Sequence, residues 1–515
     1  MANPELPIPD GLVLRPFRGV RFAIDNPAEV TSPPYDLIEE NNERELLDSH
    51  PNNVVRLILP GFDRHRYAEA RETLDTWLSS GVLIADETPA LYVYEQTGPG
   101  VLQRGIIGDV GLATPQQRII LPHEDVMPGP VADRLALMRV TEANLEPIFL
   151  LYQGENGAAT RLVDLVATSR PPLVETETRD GVRHRLWAVT DPGELDTVNA
   201  DLRGRQALIA DGHHRYATYL ALQREHHLST GEDAPDAPLT STEDTDPPGA
   251  DVRAGETLNA TPWNEDTSRT RTPNTGTSNT DVRDTSDTSP PDTPSHPATP
   301  GTPGRPAAPG ASARAATPGA PGRPATPGPW DFGLALLVDA GSYPPDLRAI
   351  HRVILNLPLE EALSKAGRAW QVHEYADLSE GLAALADAAE PAYLLSDGGT
   401  AHLLVHPDPE QLEHAMPADR SARWRAMNTA VLAEFVLPRL WGMRDDEHSV
   451  RVVHHDPATA VRLARDSGGT AVLLNPLTVD DVLTVAAQEE RVPRKSTSFG
   501  PKPRSGLVLR MLALD

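Results

Sequence analysis

Between about Ser229 and Pro329 the chain consists mostly of Thr, Pro, Asp, Ser and Gly, with near-repeats such as HPATPGTPGRPAAPG and ATPGAPGRPATPGP. A stretch so poor in aliphatic residues cannot bury enough apolar surface to offset the entropy of ordering it, which predicts a long disordered insertion. A helical pattern precedes it, and the core-like run DFGLALLVDA (Asp331 to Ala340) follows. The tract is therefore expected to interrupt one fold. Residues 1–228 would form an N-terminal α/β lobe, 229–329 the insertion, and 330–515 a C-terminal α/β lobe completing the same fold.

The 515 residues carry a formal net charge of -28, and the tract holds 14 acidic and 7 basic residues between Gly231 and Trp330, so most of the acidity lies elsewhere. Such a balance argues against a nucleic-acid backbone or an anionic membrane surface as partner, though a local basic pocket can still hold a phosphorylated small molecule. With no cysteine in the sequence, disulfides, thiolate nucleophiles and cysteine-based zinc sites are excluded. The amino end, MANPELPIPDGLVLRPFRG, lacks a basic and an apolar targeting region, and no apolar run reaches spanning length, so a cytoplasmic location is expected.

Apolar periodicity predicts irregularly alternating strands and helices. Strands are expected at Val54 to Leu59, Ile148 to Tyr152, Arg185 to Val189, Ala207 to Ala210, Ala401 to His406 and Ala471 to Leu474. Helices are expected at Tyr67 to Leu78, from Asp133-Arg134, and at Ala158 to Ser169, Glu194 to Leu202, Leu359 to Lys365, Leu378 to Ala388 and Ser421 to Phe435. Leu91 to Gln96 and Arg104 to Leu112 are separated by a Gly-rich turn too short for a crossover, which predicts a hairpin. The run Leu507 to Leu512 suggests a tail tied into a sheet. The expected class is α/β with α+β elements, two lobes of mixed sheets with helices.

Four polar clusters punctuate this pattern. In SPPYD, Pro33-Pro34 fixes an extended backbone that presents Tyr35 and Asp36. His123 and Glu124 follow a strand-like run; they are no zinc-protease signature, since the second histidine four residues on is absent. QALIADGHHRYATYLAL places Asp211, Gly212, His213, His214 and Arg215 in a strand-to-helix turn, where free N–H groups and the helix dipole suit a phosphate. VVHHDP repeats the strand, His-His, helix logic at His454, His455 and Asp456, with Pro457 at a helix start. Beyond these, RVPRKSTSFGPKPRSG concentrates Arg494, Lys495, Ser496, Thr497, Ser498, Lys502 and Arg504 on a Gly/Pro loop suited to phosphate or carboxylate.

SPPYDLI, HPNNVVRLILP, the PHE and ADRLALMRVTEANLEPIFLLY block, LIADGHHRYATYL, HRVI, VVHHDP, LLNPLTVDDVL and PRKSTSFGPKPRSGLV occur in order and resemble the domain of unknown function 1015 family. That family carries no settled activity. DGHHR at a strand-to-helix turn is also similar to the phosphate-binding motif of the ParB/sulfiredoxin superfamily, the free-serine kinase branch being the nearest fit. The resemblance implies that His213, His214 and Arg215 contact nucleotide phosphate and that Asp211 shapes the turn or approaches a metal. The missing cysteine excludes sulfiredoxin chemistry.

These features lead to the expectation of a nucleotide-dependent phosphotransferase acting on a small hydroxylated or phosphorylated metabolite, serine being one guess. Lys495, Ser496, Thr497 and Lys502 would join the phosphate site, and Glu124 or Asp36, beside His123, would act on the acceptor hydroxyl. The cofactor would be a nucleoside di- or triphosphate with Mg²⁺, held through Asp211 or Glu124. Two alternatives stand beside it. One is a metal-dependent hydrolase with ligands drawn from His123, Glu124, Asp211, His213, His214, His454, His455 and Asp456. The other is a non-enzymatic metabolite-binding or regulatory protein. No oligomeric state is read from the sequence.

Overall fold

The computed structural model describes residues 6–61, 65–230, 327–446 and 448–514. Of the tract expected at 229–329, residues 231–326 lie outside the described residues, while 229–230 end helix His213–Thr230 and Pro329 opens the short 3-10 turn Pro329–Asp331. Elements on the two sides of it are shared by one compact unit.

A nine-stranded mixed sheet forms the centre. Its order runs Ile120–Leu121, Ala207–Asp211, Ile148–Tyr152, Phe332–Asp339, Val101–Gly111, Leu91–Gly98, Arg183–Val189 and Val174–Glu177, with Leu14–Arg15 added to Val101–Gly111. The hairpin forms as expected, Leu91–Gly98 antiparallel to Val101–Gly111. Phe332–Asp339, the first strand after the tract, lies in the middle, parallel to Ile148–Tyr152 and antiparallel to Val101–Gly111. Its residues Leu334 to Val338 are almost fully buried, so the core of this sheet cannot close without chain from both sides of the tract.

A second sheet of six antiparallel strands runs Gln371–Tyr375, Ala401–Val405, Tyr393–Ser396, Thr470–Leu473, Ile350–Ile354 and Val450–His454. The two sheets share an apolar cluster in which Tyr94, Phe149 and Leu336 of the first join Tyr393 of the second, together with Trp370, which precedes an edge strand, and Phe435 of helix Leu432–Trp441. Helices Ala158–Ser169 and His213–Thr230 cover the opposite face of the first sheet through Val163, Val166, Tyr216 and Tyr219. Among the described residues no helix is long and apolar enough to cross a membrane.

Several local expectations are corrected. Val54 to Leu59, expected as a strand, is a short helix, Val55–Ile58, because Asn53 Oδ1 accepts from Val55 N and starts a helical turn that buries Val55, Leu57 and Ile58. The helix expected to open at Asp133-Arg134 begins at Pro128, whose missing N–H is no loss in a first turn. The long helix Ser421 to Phe435 is broken into Ala422–Ala426, Asn428–Val431 and a wider π-type helix Leu432–Trp441. Met427 is extended, buried Asn428 bonds Glu390 Oε1 and Asn475 O, and Pro438 removes a donor from the last segment. Of the tail Leu507 to Leu512, Arg510–Met511 pairs with Ala143–Asn144 and Leu509 forms a single bridge with Val20.

Candidate functional site

Strand Ala207–Asp211 ends at Gly212, which turns the chain at φ +90 into helix His213–Thr230. A Cβ at Gly212 would stand 3.0 Å from Ile148 Cγ2 and 3.2 Å from Arg215 Nε, so the conformation favours glycine and any side chain would crowd both neighbours. The first helical bond runs from Tyr216 N to Gly212 O. The N–H groups of His213, His214 and Arg215 therefore meet no acceptor among the described residues, as expected for a first helical turn.

Around this turn the C-terminal segment draws in pieces from the whole chain. Lys502 Nζ bonds Asp36 Oδ2 and Asp211 Oδ1, the latter at 2.5 Å, while Arg215 Nη2 donates to Asp211 Oδ2 at 2.5 Å. Thr497 Oγ1 lies 2.9 Å from His123 Nε2 and donates to Glu124 Oε1 at 2.8 Å. Val492 N donates to His123 O, and Ser498–Gly500 pairs with Asp346–Arg348 beside the second sheet. Further on, Arg504 Nε donates to Thr31 Oγ1 at 2.7 Å, and Ser505 exchanges backbone bonds with Ser32. SPPYD is thereby fixed beside DGHHR. The guanidinium groups of Arg134 and Arg215 stand over the Tyr35 ring, 4.6 and 5.9 Å from its centroid.

The histidines divide by role. His123 is completely buried, and burial pushes its imidazole down to about 3, so it is neutral. Its backbone N–H donates to His213 Nε2 at 3.3 Å, and the two rings meet edge to face at 4.5 Å. His213, also buried, is held well below its ordinary value by burial and by the neighbouring His123 and His214. His214 Nε2 accepts from Met127 N at 3.0 Å; burial and Lys495 lower it against the opposing pull of Asp36. In this arrangement His213 and His214 both accept from backbone N–H groups and orient the turn. The guanidinium of Arg215 is committed to Asp211 and to Pro147 O, the latter at 2.6 Å.

The two candidate bases have opposite environments. Burial alone would raise Asp36, but the ammonium of Lys502 and the guanidinium of Arg215 hold it below the usual carboxylate range. Burial raises Glu124, with Asp211 adding to the effect and Thr497 and Lys495 opposing it. Both keep part of their side chains open to solvent while standing among protein groups.

The lysines also separate. Lys502 is nearly enclosed by its two carboxylates, which raise it against the effect of burial. Lys495, at φ +53, is exposed, and its ammonium has no carboxylate partner among the described residues, although its charge reaches His214, Glu124 and His454. Buried Arg352 sets that loop by donating from Nη2 to Arg494 O and Lys495 O, at 3.1 and 2.9 Å.

Other candidates stand apart. Ser496 is buried and donates to Pro493 O. His454 sits on the rim, where partial enclosure, then Lys495 and His455, push it to about 4. His455 is exposed at φ +46, and Asp456 caps the following helix through Thr459. Among the described residues no group of three His, Asp or Glu side chains could hold a metal ion, so the eight residues of the hydrolase alternative do not assemble as ligands. Sequence reasoning missed Glu146, which accepts from Tyr35 N and Ser505 Oγ, and the loop-holding role of Arg352. An arginine inside the apolar strand IHRVI was the available signal, because a buried guanidinium must be bonded.

Fold and site together define a mixed α/β protein with a charged site at a strand-to-helix turn, closed by its own C-terminal segment. Residues 14–249 match the model of the family described as "Protein of unknown function (DUF1015)". No curated protein matches the chain. Among solved structures, a free serine kinase in complex with AMP is 9% identical, with 80% of this chain and 93% of that chain covered at a TM-score of 0.29. SbnI from Staphylococcus aureus, truncated at its C-terminus, is 9% identical over 79% and 89%, at 0.32. A conserved hypothetical protein from Pyrococcus furiosus is 9% identical over 80% and 97%, at 0.28. Likeness at this level carries no inference about the present chain.

Proposed function

We propose that this protein is a nucleotide-dependent phosphotransferase acting on a small hydroxylated metabolite, with serine or a phosphorylated hydroxy acid as the first substrates to try. The observation that carries the reading is the set of N–H groups of His213, His214 and Arg215 left without acceptors among the described residues. They stand within electrostatic reach of the Lys495 ammonium and the elevated carboxyl of Glu124. Free amides at a helix start with an exposed cation form a receptor for terminal phosphate oxygens. Glu124 accepts the proton of the acceptor hydroxyl, since a carboxyl raised toward neutrality is the better general base. Asp36 and Asp211, bound to Lys502 and Arg215, organise the floor of the site. A nucleotide would bring Mg²⁺ chemistry in the form of charge neutralisation at its phosphates. The local likeness of DGHHR to the phosphate turn of the ParB/sulfiredoxin superfamily supports the same reading.

Purified protein with ATP or ADP, Mg²⁺ and serine or related hydroxy acids should show transfer by phosphorus NMR. Absence of any nucleotide binding by calorimetry would overturn the assignment.

A further inference from the structure

Asp36 and Asp211 reach the site from separate turns, and each offers a carboxylate oxygen to the ammonium of Lys502. Asp211 has no oxygen to spare, since its second one takes Arg215 Nη2 at 2.5 Å. Two facing carboxylates repel unless a cation lies between them, and in a partly buried site that repulsion is poorly screened. A protein-held Mg²⁺ would need carboxylate oxygens about 2.0–2.1 Å from the metal. At Asp211 both oxygens are occupied by positively charged side chains, which would also repel an incoming divalent ion. The residues present therefore do not fit a magnesium ion bound through Asp211.

We propose that Lys502 is the resident cation of the Asp36–Asp211 pair, occupying the place between the two carboxylates that a protein-bound divalent ion would otherwise take. It is a positioning residue: its ammonium fastens the C-terminal segment to both SPPYD and DGHHR and lets the two acidic turns approach. Any divalent ion used at this site is then held elsewhere than between Asp36 and Asp211. The inference stands on ion-pair geometry alone and is independent of the phosphotransfer reading.

The test uses the full chain, no nucleotide, and Mn²⁺ as the probe, followed by the paramagnetic resonance signal of the free ion and by calorimetry. Wild-type protein should bind no Mn²⁺ at this site. K502A should gain one Mn²⁺ site that wild type lacks, its thermal midpoint should rise with Mn²⁺, and the double variant D36N/K502A should lose both effects. K502R keeps a cation in place and should bind no Mn²⁺. Should K502A fail to fold alone, recovery of cooperative melting with Mn²⁺ but not with sodium chloride of equal ionic strength supports the assignment. It is overturned if wild type binds an Mn²⁺ that D36N or D211N abolishes, if K502R binds Mn²⁺, or if K502A gains neither binding nor stability from the ion. Turnover enters none of these measurements, so their failure is distinct from failure of the proposed activity.

Discussion

Thr497 donates to the carboxylate of Glu124 at 2.8 Å across 373 residues of sequence, and the same hydroxyl lies 2.9 Å from buried His123. A single side chain near the C-terminus thus orients the group proposed to act as base. Replacing Thr497 by Val should leave two polar groups unsatisfied and lower stability by about 1–3 kcal/mol, while Ser should restore most of it. Denaturant midpoints of the two variants against wild type provide the comparison.

Glu124 and Asp36 are separated by E124Q and D36N. With Glu124 as the base, E124Q should lower the phosphotransfer rate about 10²–10⁴-fold with nucleotide affinity kept. D36N should act chiefly on stability and on binding, because its carboxylate is tied to Lys502. Single-turnover rates beside calorimetry separate these outcomes; an E124Q protein as fast as wild type removes Glu124 from the mechanism.

Lys495 is exposed and without a carboxylate partner among the described residues, so K495M should fold as wild type does. Loss of one phosphate-binding cation should weaken ATP binding about tenfold, the size of a charge-assisted hydrogen bond, and flatten its dependence on salt. Titrations at two ionic strengths measure both effects.

At Gly212 a Cβ would crowd Ile148 and Arg215 at a backbone φ of +90. G212A should destabilise the protein by at least about 1 kcal/mol, and the displaced Arg215 should loosen the Asp211 pair. Thermal unfolding, with amide exchange of the first turn of the helix, checks this.

His123, His184 and His351 are buried and pushed by burial to about 3, 4 and 4, whereas an exposed histidine titrates near 6.5. Their folded values are lowered, so the unfolded chain binds more protons between the two values. Stability is complete above about pH 6.5 and falls as pH drops through the window toward 4, by roughly 1 kcal/mol per histidine at pH 5.5. Urea midpoints at pH 7.5 and 5.5 should show this loss, and H184N should reduce it by one share. A flat profile would contradict neutral burial.

Local order alone determined much of the scaffold. Helix Ala158–Ser169 matches its apolar period residue for residue, and strand Ile148–Tyr152 stands where its aliphatic run places it. The capping box of Thr478 and Asp481 opens helix Val479–Ala487. Such signals are legible because repeat, cap and turn chemistry act over a few neighbouring residues. Where a side chain competes with the run around it, local order misleads: Asn53 winds an aliphatic stretch into a helix, and buried Asn428 with Pro438 breaks a periodic one.

The site was legible as residue types and not as roles. DGHHR, SPPYD, PHE and KSTSFGPK were each visible, yet nothing in their order said that Lys502 would be committed to two carboxylates and Lys495 left open, or that Arg352 would hold the loop. Those assignments depend on contacts between residues hundreds of positions apart. Long-range burial and the pairing of charges in a poorly screened interior choose among them, and both come into existence only when the sheets close.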